Sequence, residues 1–343
     1  DGKTLDVTPG AAASLRMGRS VTQNGSANLS FGAPFASPQG KSNAGMVIIP
    51  SYKPGFIFGE APGDNFGWSI AGIGDVNGDR MPDILVGAPE AGGTGRIYMV
   101  SSNDSSVLYK VDGEQTGAQY GFSVTRLGDI DGDGVPDLIV GSPRSAIRGA
   151  SNVGKVFVLS GVQGKLLFEL EGVASGDNFG WSVAGAEDMD GDGRPDILVG
   201  APGANGKSGM IRVFSGGDGK KLYEFLGAAT EELGISVAFA GDVNDDGYPD
   251  IIVGAYSARG REGRPNGRVY VLSPFIGVPR PISTPTPTAT PTTTRAPVPT
   301  PTPTRIPAPA PTPPSQLIQY PVSERPWDKV PTITVSAPDN DPR

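Results

Sequence analysis

Four stretches of the chain pass from clustered aspartates straight into unbroken apolar residues: "DVNGDRMPDILVGAP" from Asp75, "DIDGDGVPDLIVGSP" from Asp129, "DMDGDGRPDILVGAP" from Asp188 and "DVNDDGYPDIIVGAY" from Asp242. The apolar runs are too short for a helix and too continuous for a half-exposed strand, so each predicts a strand buried on both faces. An aromatic-glycine stretch precedes each run: "FGWSI" at 66, "YGFSV" at 120, "FGWSV" at 179 and "LGISV" at 233. A β-branched run follows each: "GRIYMV" at 95, "GKVFVL" at 154, "GMIRVF" at 209 and "GRVYVL" at 267. Segments such as "GKLLFEL" at 164 and "GKKLYEF" at 219 alternate apolar and polar residues before the next unit begins. Gly, Asn and Asp punctuate these segments, and no useful stretch has a helical period. Each unit therefore reads as four short strands.

The loops begin at 75, 129, 188 and 242, a spacing of 54 to 59 residues that marks one supersecondary unit used repeatedly. Four strands per unit, with the second buried on both sides, predict an all-β fold: a β-propeller of about five four-stranded blades. A degenerate copy supplies the first blade, "MGRSV" at 17 matching "FGWSI" and "NLSFGAP" at 28 matching "DILVGAP", with a shortened loop that has lost its aspartates. The opening "DGKTLDV" matches "DGKKLYEF", the last strand of a blade, whereas the final repeat ends after "GRVYVLS" without one. Residues 1–7 are thus expected to complete the last blade and leave no open edge.

The propeller is placed at residues 1–277. Residues 278–314 are dominated by Pro and Thr, which cannot build a sheet or a core and predict an extended or disordered stalk. At about 3.1 Å per residue it would reach on the order of 110 Å, and its threonines suit O-glycosylation. In the tail, 315–343, "TITVSAP" at 332 reads as one isolated strand, stable only if it pairs with a sheet elsewhere, such as that of another subunit.

Composition narrows the chemistry. Among 343 residues there is no His and no Cys, which excludes a Ser-His-Asp triad, a Cys nucleophile and an ordinary zinc site. A formal charge of −8 without a basic face argues against nucleic acid. No stretch approaches the roughly 18 apolar residues of a membrane span. Opening at Asp1, without Met or a signal-like segment, the sequence reads as a processed product.

Like charges crowded beside a buried strand repel each other unless a cation sits among them. In the second loop Asp129, Asp131, Asp133 and Asp137 occupy positions 1, 3, 5 and 9, so alternate side chains can converge, and the carbonyl of Val135 at position 7 can add a ligand. The third loop offers Asp188, Asp190, Asp192, Arg194 and Asp196 in the same places. The first offers Asp75, Asn77, Asp79, Met81 and Asp83, and the fourth Asp242, Asn244, Asp246, Tyr248 and Asp250. Gly134, Gly193 and Gly247 at position 6 permit a sharp turn, but Arg80 stands there in the first loop and is expected to strain it. All-oxygen ligation of flexible geometry selects Ca2+, up to four ions, whose charge would balance the formal −8. An EF-hand is excluded: position 12 is Val86, Val140, Val199 or Val253 instead of Glu, and a strand follows instead of a helix.

These motifs together resemble the FG-GAP repeat family, found in integrin α-subunit propellers and in many bacterial surface proteins. The resemblance rests on the "FG" of 66 and 179, the four acidic loops, and "GAP" at 87 and 200, varied to "GSP" at 141 and "GAY" at 254. It covers roughly residues 1–275 and implies calcium at the loop residues named above. Integrin propellers have seven blades, so five repeats imply either a smaller closed ring or an open array. No integrin ligand residue is matched.

The expected function is that of a non-enzymatic, calcium-stabilised extracellular structural or adhesion protein, associating with itself through its C-terminal tail or with another surface protein. The alternative is a glycan-binding module, with Trp68 and Trp181 as stacking platforms, although packing between blades accounts for them more simply. Arg259, Arg261, Arg264 and Arg268 read as a solvated turn before an anion site, and Asn24, Asn28 and Asn103 open Asn-x-Ser triplets.

Overall fold

The structure is a computed structural model that describes residues 18–24, 28–49, 55–185, 187–258 and 266–273. The expectations for residues 1–7, for Arg259, Arg261 and Arg264, for the Pro/Thr segment and for the tail lie outside the described residues.

Five antiparallel sheets follow one another along the chain. The first contains β1 (Ser20–Asn24), β2 (Asn28–Ala33), β3 (Met46–Ile49) and β4 (Gly55–Phe58). The second contains β5 (Ser69–Gly74), β6 (Asp83–Ala88), β7 (Arg96–Val100) and β8 (Val107–Asp112). The third has β9 (Ser123–Arg126), β10 (Leu138–Ser142), β11 (Lys155–Leu159) and β12 (Leu166–Glu171). In the fourth are β13 (Ser182–Gly185), β14 (Ile197–Ala201), β15 (Met210–Phe214) and β16 (Lys221–Leu226). The fifth has three strands among the described residues, β17 (Leu233–Gly241), β18 (Asp250–Ala255) and β19 (Arg268–Leu272). Each sheet is a meander in chain order, the blade of a propeller.

The continuous apolar runs lie where their composition requires. All six residues of β6 and all five of β10 and β14 are buried, because each second strand has a sheet on either face. Alternate residues of one strand feed different cores: Leu85 faces the third sheet, whereas Ile84 and Val86 face the first. Each such side chain contributes roughly 1.5–3 kcal/mol.

A second device fixes the spacing between sheets. The first-strand serine donates across to a glycine carbonyl of the next sheet: Ser20 to Gly67 (2.9 Å), Ser69 to Gly121 (2.9 Å), Ser123 to Gly180 (2.8 Å) and Ser182 to Gly234 (2.7 Å). The same carbonyl presses on the "GAP" glycine of the donor sheet; a Cβ at Gly87, Gly141 or Gly200 would lie 2.1 Å from it. Only glycine fits there. The "FG" aromatics Phe66, Tyr120 and Phe179 are buried in the crossing between sheets, just before the first strand begins. Trp68 and Trp181 likewise precede β5 and β13, and with Phe122 they form a stack across successive sheets, with centroids 5.3 and 4.6 Å apart. Arg19 caps it, 4.3 Å from the Trp68 centroid. Arg268 opens β19 and donates to Glu231 (2.9 Å), so it belongs to a paired cluster and not to a solvated turn.

Candidate metal-binding loops

Each acidic loop joins the first and second strands of a sheet. The turn is wound around its own carboxylates. Gly132 and Gly134 donate backbone N–H to the two oxygens of Asp129 (2.7 and 2.9 Å), and Gly191 and Gly193 do the same to Asp188 (2.6 and 2.9 Å). The N–H of position 5 donates to the position 3 side chain, Asp131 at 3.1 Å, Asp190 at 3.0 Å, Asn77 at 2.9 Å and Asn244 at 3.0 Å. Met81, Val135, Arg194 and Tyr248 at position 7 donate N–H to Asp79, Asp133, Asp192 and Asp246.

The ninth residue closes the loop from beneath. Asp83, Asp137 and Asp196 are fully buried and Asp250 is 1% exposed, each accepting the N–H of position 2 at 2.7 to 2.9 Å. Burial without a countercharge, reinforced by neighbouring aspartates, pushes their carboxyls up: Asp83 and Asp137 to about 6 and Asp196 to about 7, with Asp250 also raised. The second oxygen accepts from Gly161 (3.2 Å) in Asp137 and from Gly216 (3.1 Å) in Asp196. In Asp83 and Asp250 that oxygen is buried with no donor among the described residues.

Three carboxylates converge in two loops. Oxygens of Asp129, Asp131 and Asp137, and of Asp188, Asp190 and Asp196, lie within 4.8 Å of one another. Asp133 and Asp192 fall outside these groups. Ser160 and Ser215 donate to them from the end of the third strand, at 3.2 and 3.3 Å, as Ser273 donates to Asp246 at 2.9 Å. These serines were not among the expected site residues, yet the repeated "S" after "YMV", "FVL", "RVF" and "YVL" was their signal. In the first and fourth loops, Asn77 and Asn244 replace the third-position carboxylate with an amide oxygen, which keeps the donor set oxygen-only at lower charge.

Arg80 sits at φ +68°, in the left-handed region that Gly134, Gly193 and Gly247 enter at +85° to +87° without penalty. The expected strain in the first loop is therefore present. The fourth loop carries a second one, Asp245 at φ +58°, where the other loops have Gly78, Gly132 and Gly191.

A family model described as "FG-GAP repeat" matches residues 66–99, 121–159, 179–214 and 233–272. Among curated relatives, the chain is 32% identical to integrin alpha-5 of Xenopus laevis over 211 residues and 34% identical to integrin alpha-V of Gallus gallus over 207 residues. These alignments cover 56% and 55% of the chain but 20% of each integrin, so the chain spans about a fifth of their length. In fold, it superposes on a chain of Kuenenia stuttgartiensis hydrazine synthase with a TM-score of 0.50 at 9% identity, covering 80% of this chain and 67% of that one.

Proposed function

We propose that this chain, which carries four FG-GAP repeats in an array of propeller blades, is a calcium-stabilised, non-enzymatic extracellular protein of structural or adhesive role. The observation that carries the reading is the set of four buried ninth-position aspartates at successive hairpins, two of them with a buried oxygen that has no hydrogen-bond partner among the described residues. Water withheld from such a carboxylate costs free energy that a hard cation returns. The ligands are the side chains of Asp75, Asn77, Asp79 and Asp83 and their counterparts in the other three loops, with Met81, Val135, Arg194 and Tyr248 as carbonyl donors. Bound Ca2+ supplies positive charge that holds the hairpin closed. The chain's own amides already orient the carboxylates for it.

The integrin relatives support the adhesive role, and millimolar extracellular calcium suits loops of this type. Among the described residues no helix is long and apolar enough to cross a membrane. The Pro/Thr composition of residues 278–314 supports their role as a stalk that displays the blades at a distance. The aromatic stack favours packing over a glycan-binding role, because Trp68 and Trp181 are occupied by neighbouring rings. The reading is tested by thermal unfolding in EDTA and in saturating calcium or magnesium. A large rise in Tm specific to calcium supports it, and equal curves overturn it. Deleting residues 315–343 tests self-association through the tail, which requires that the truncated protein assemble less than the full chain.

A further inference from the structure

The four sheet-to-sheet junctions share one set of parts, and a fifth set is split between the two ends of the array. At the trailing end, Ser236 and Gly254 occupy the places of the donor serines and the pressed glycines. Among the described residues the Ser236 hydroxyl makes no hydrogen bond, and a Cβ at Gly254 would meet no carbonyl, only Ser236 Oγ at 2.4 Å and Ile235 Cγ2 at 3.4 Å. Gly267 corresponds to Gly45 and Gly95, each of which lies 2.2 Å, at the Cβ position, from the carbonyl of the next sheet's "FG" aromatic, whereas its own nearest atom is at 3.5 Å.

The leading end holds the complementary half. Gly18 has φ +85°, against +84° to +86° at Gly67, Gly121 and Gly180, and it donates its N–H to Gly32 (3.0 Å) as Gly67 does to Gly87 (3.1 Å). Its carbonyl is therefore presented as theirs are. The apolar faces around both halves lack a cover among the described residues. Leu29 is 45% exposed where its counterparts Ile84, Leu138 and Ile197 are fully buried, and Val269 is 44% exposed where Ile97, Val156 and Ile211 are fully buried. Phe56 and Val21 widen the leading face, at 53% and 51%.

We infer that the trailing face of one chain docks on the leading face of a second copy, with Ser236 donating to the partner chain's Gly18 carbonyl, so that copies add head to tail. A second copy is the occupant because each end carries the mate of the other, and among the described residues the two do not meet: sheets pack in order, first to second and onward to the fifth. The contact is heterologous, so it propagates instead of closing as a symmetric dimer. It goes beyond the proposed function and does not depend on the acidic loops.

The test is sedimentation velocity of the full chain over a range of micromolar concentrations in saturating calcium. The wild type grows in mass with concentration. Gly254→Ala lowers Tm little, because within its own chain the added methyl displaces only the Ser236 hydroxyl, which can rotate away, but it weakens association about a hundredfold or more by meeting the incoming carbonyl. Leu29→Arg blocks the other face. Each variant alone stays monomeric, while a mixture forms one-to-one pairs that do not grow, since one retains a working head and the other a working tail. A wild type that remains monomeric throughout overturns the inference and assigns the end faces to the chain's own terminal segments or to closure on each other. Association unaffected by Gly254→Ala, or variants that fail to pair on mixing, also overturns it. Loss of calcium-dependent stability would instead be read in Tm, so the two failures are distinguishable.

Discussion

Asp196→Asn should change the stability of the protein with opposite sign in the presence and absence of calcium. Asp196 is fully buried, and the N–H groups of Met189 and Gly216 donate to its two oxygens at 2.7 and 3.1 Å. Burial raises its carboxyl from 3.8 to about 7 in the metal-free fold. A carboxyl raised on folding destabilises the fold only where the unfolded chain is ionised, so the cost is absent below pH 4 and complete above pH 7. At about 1.4 kcal/mol per unit, a rise of about three units sets a ceiling of about 4 kcal/mol at pH 8. The amide removes that cost but turns an NH2 toward a backbone donor, which returns about 1–3 kcal/mol. The metal-free variant is therefore expected to be more stable than wild type by roughly 1–3 kcal/mol at pH 8. With calcium bound, the same substitution removes a charged ligand from a buried site and costs about 3–5 kcal/mol, as breaking a buried ion pair does. Denaturant unfolding of both proteins at pH 8, with EDTA and with excess calcium, gives all four values. Destabilisation of equal size in both conditions would show that Asp196 serves only its two backbone partners and would refute the reasoning.

The four raised carboxyls act together, so metal-free protein should lose stability as pH rises from 4 through 7, the reverse of an ordinary acidic protein, while calcium flattens the profile; Tm against pH in EDTA and in calcium measures both. Arg80→Gly relieves a left-handed non-glycine residue and is expected to stabilise the first loop by about 0.5–1 kcal/mol net of the entropy that glycine adds, read by chemical denaturation. Ser160→Ala removes the hydroxyl that holds Asp133 and should weaken calcium binding several-fold with under about 1.5 kcal/mol lost from the metal-free fold, separable by calorimetric titration and unfolding. Gly200→Ala, unlike Gly254→Ala, places a methyl 2.1 Å from the Gly234 carbonyl and should lower Tm steeply or prevent folding.

Much of this was legible in the chain because the repeats impose the same local choice four times over. The buried second strands followed from "DILVG" and "DLIVG", whose both-sided burial admits no polar alternation, and the hairpin position of the loops followed from the strands on either side. The junction serines were harder to see. Ser69 and Ser182 are ordinary strand residues in sequence, and only the packed sheets show their hydroxyls reaching a carbonyl about 50 residues away. The inward turn of Asp137 and Asp196, and the outward hold on Asp133 and Asp192, depended likewise on the serine and glycine that follow the third strand, 20 to 27 residues downstream. The aromatic-glycine stretches at 66 and 179 read as strand but open as crossings, the strands beginning two residues after Gly67 and Gly180, whereas the stretch at 233 lies within β17.

Native mass spectrometry of the intact chain, stripped of metal and titrated with calcium, counts what the loops hold. The account predicts successive additions of calcium up to four, reduced by one in a variant whose third loop carries Asp188→Ala and Asp190→Ala. A chain that gains no specific calcium at any concentration, and that unfolds identically before and after stripping, would contradict the claim that cations hold these hairpins together.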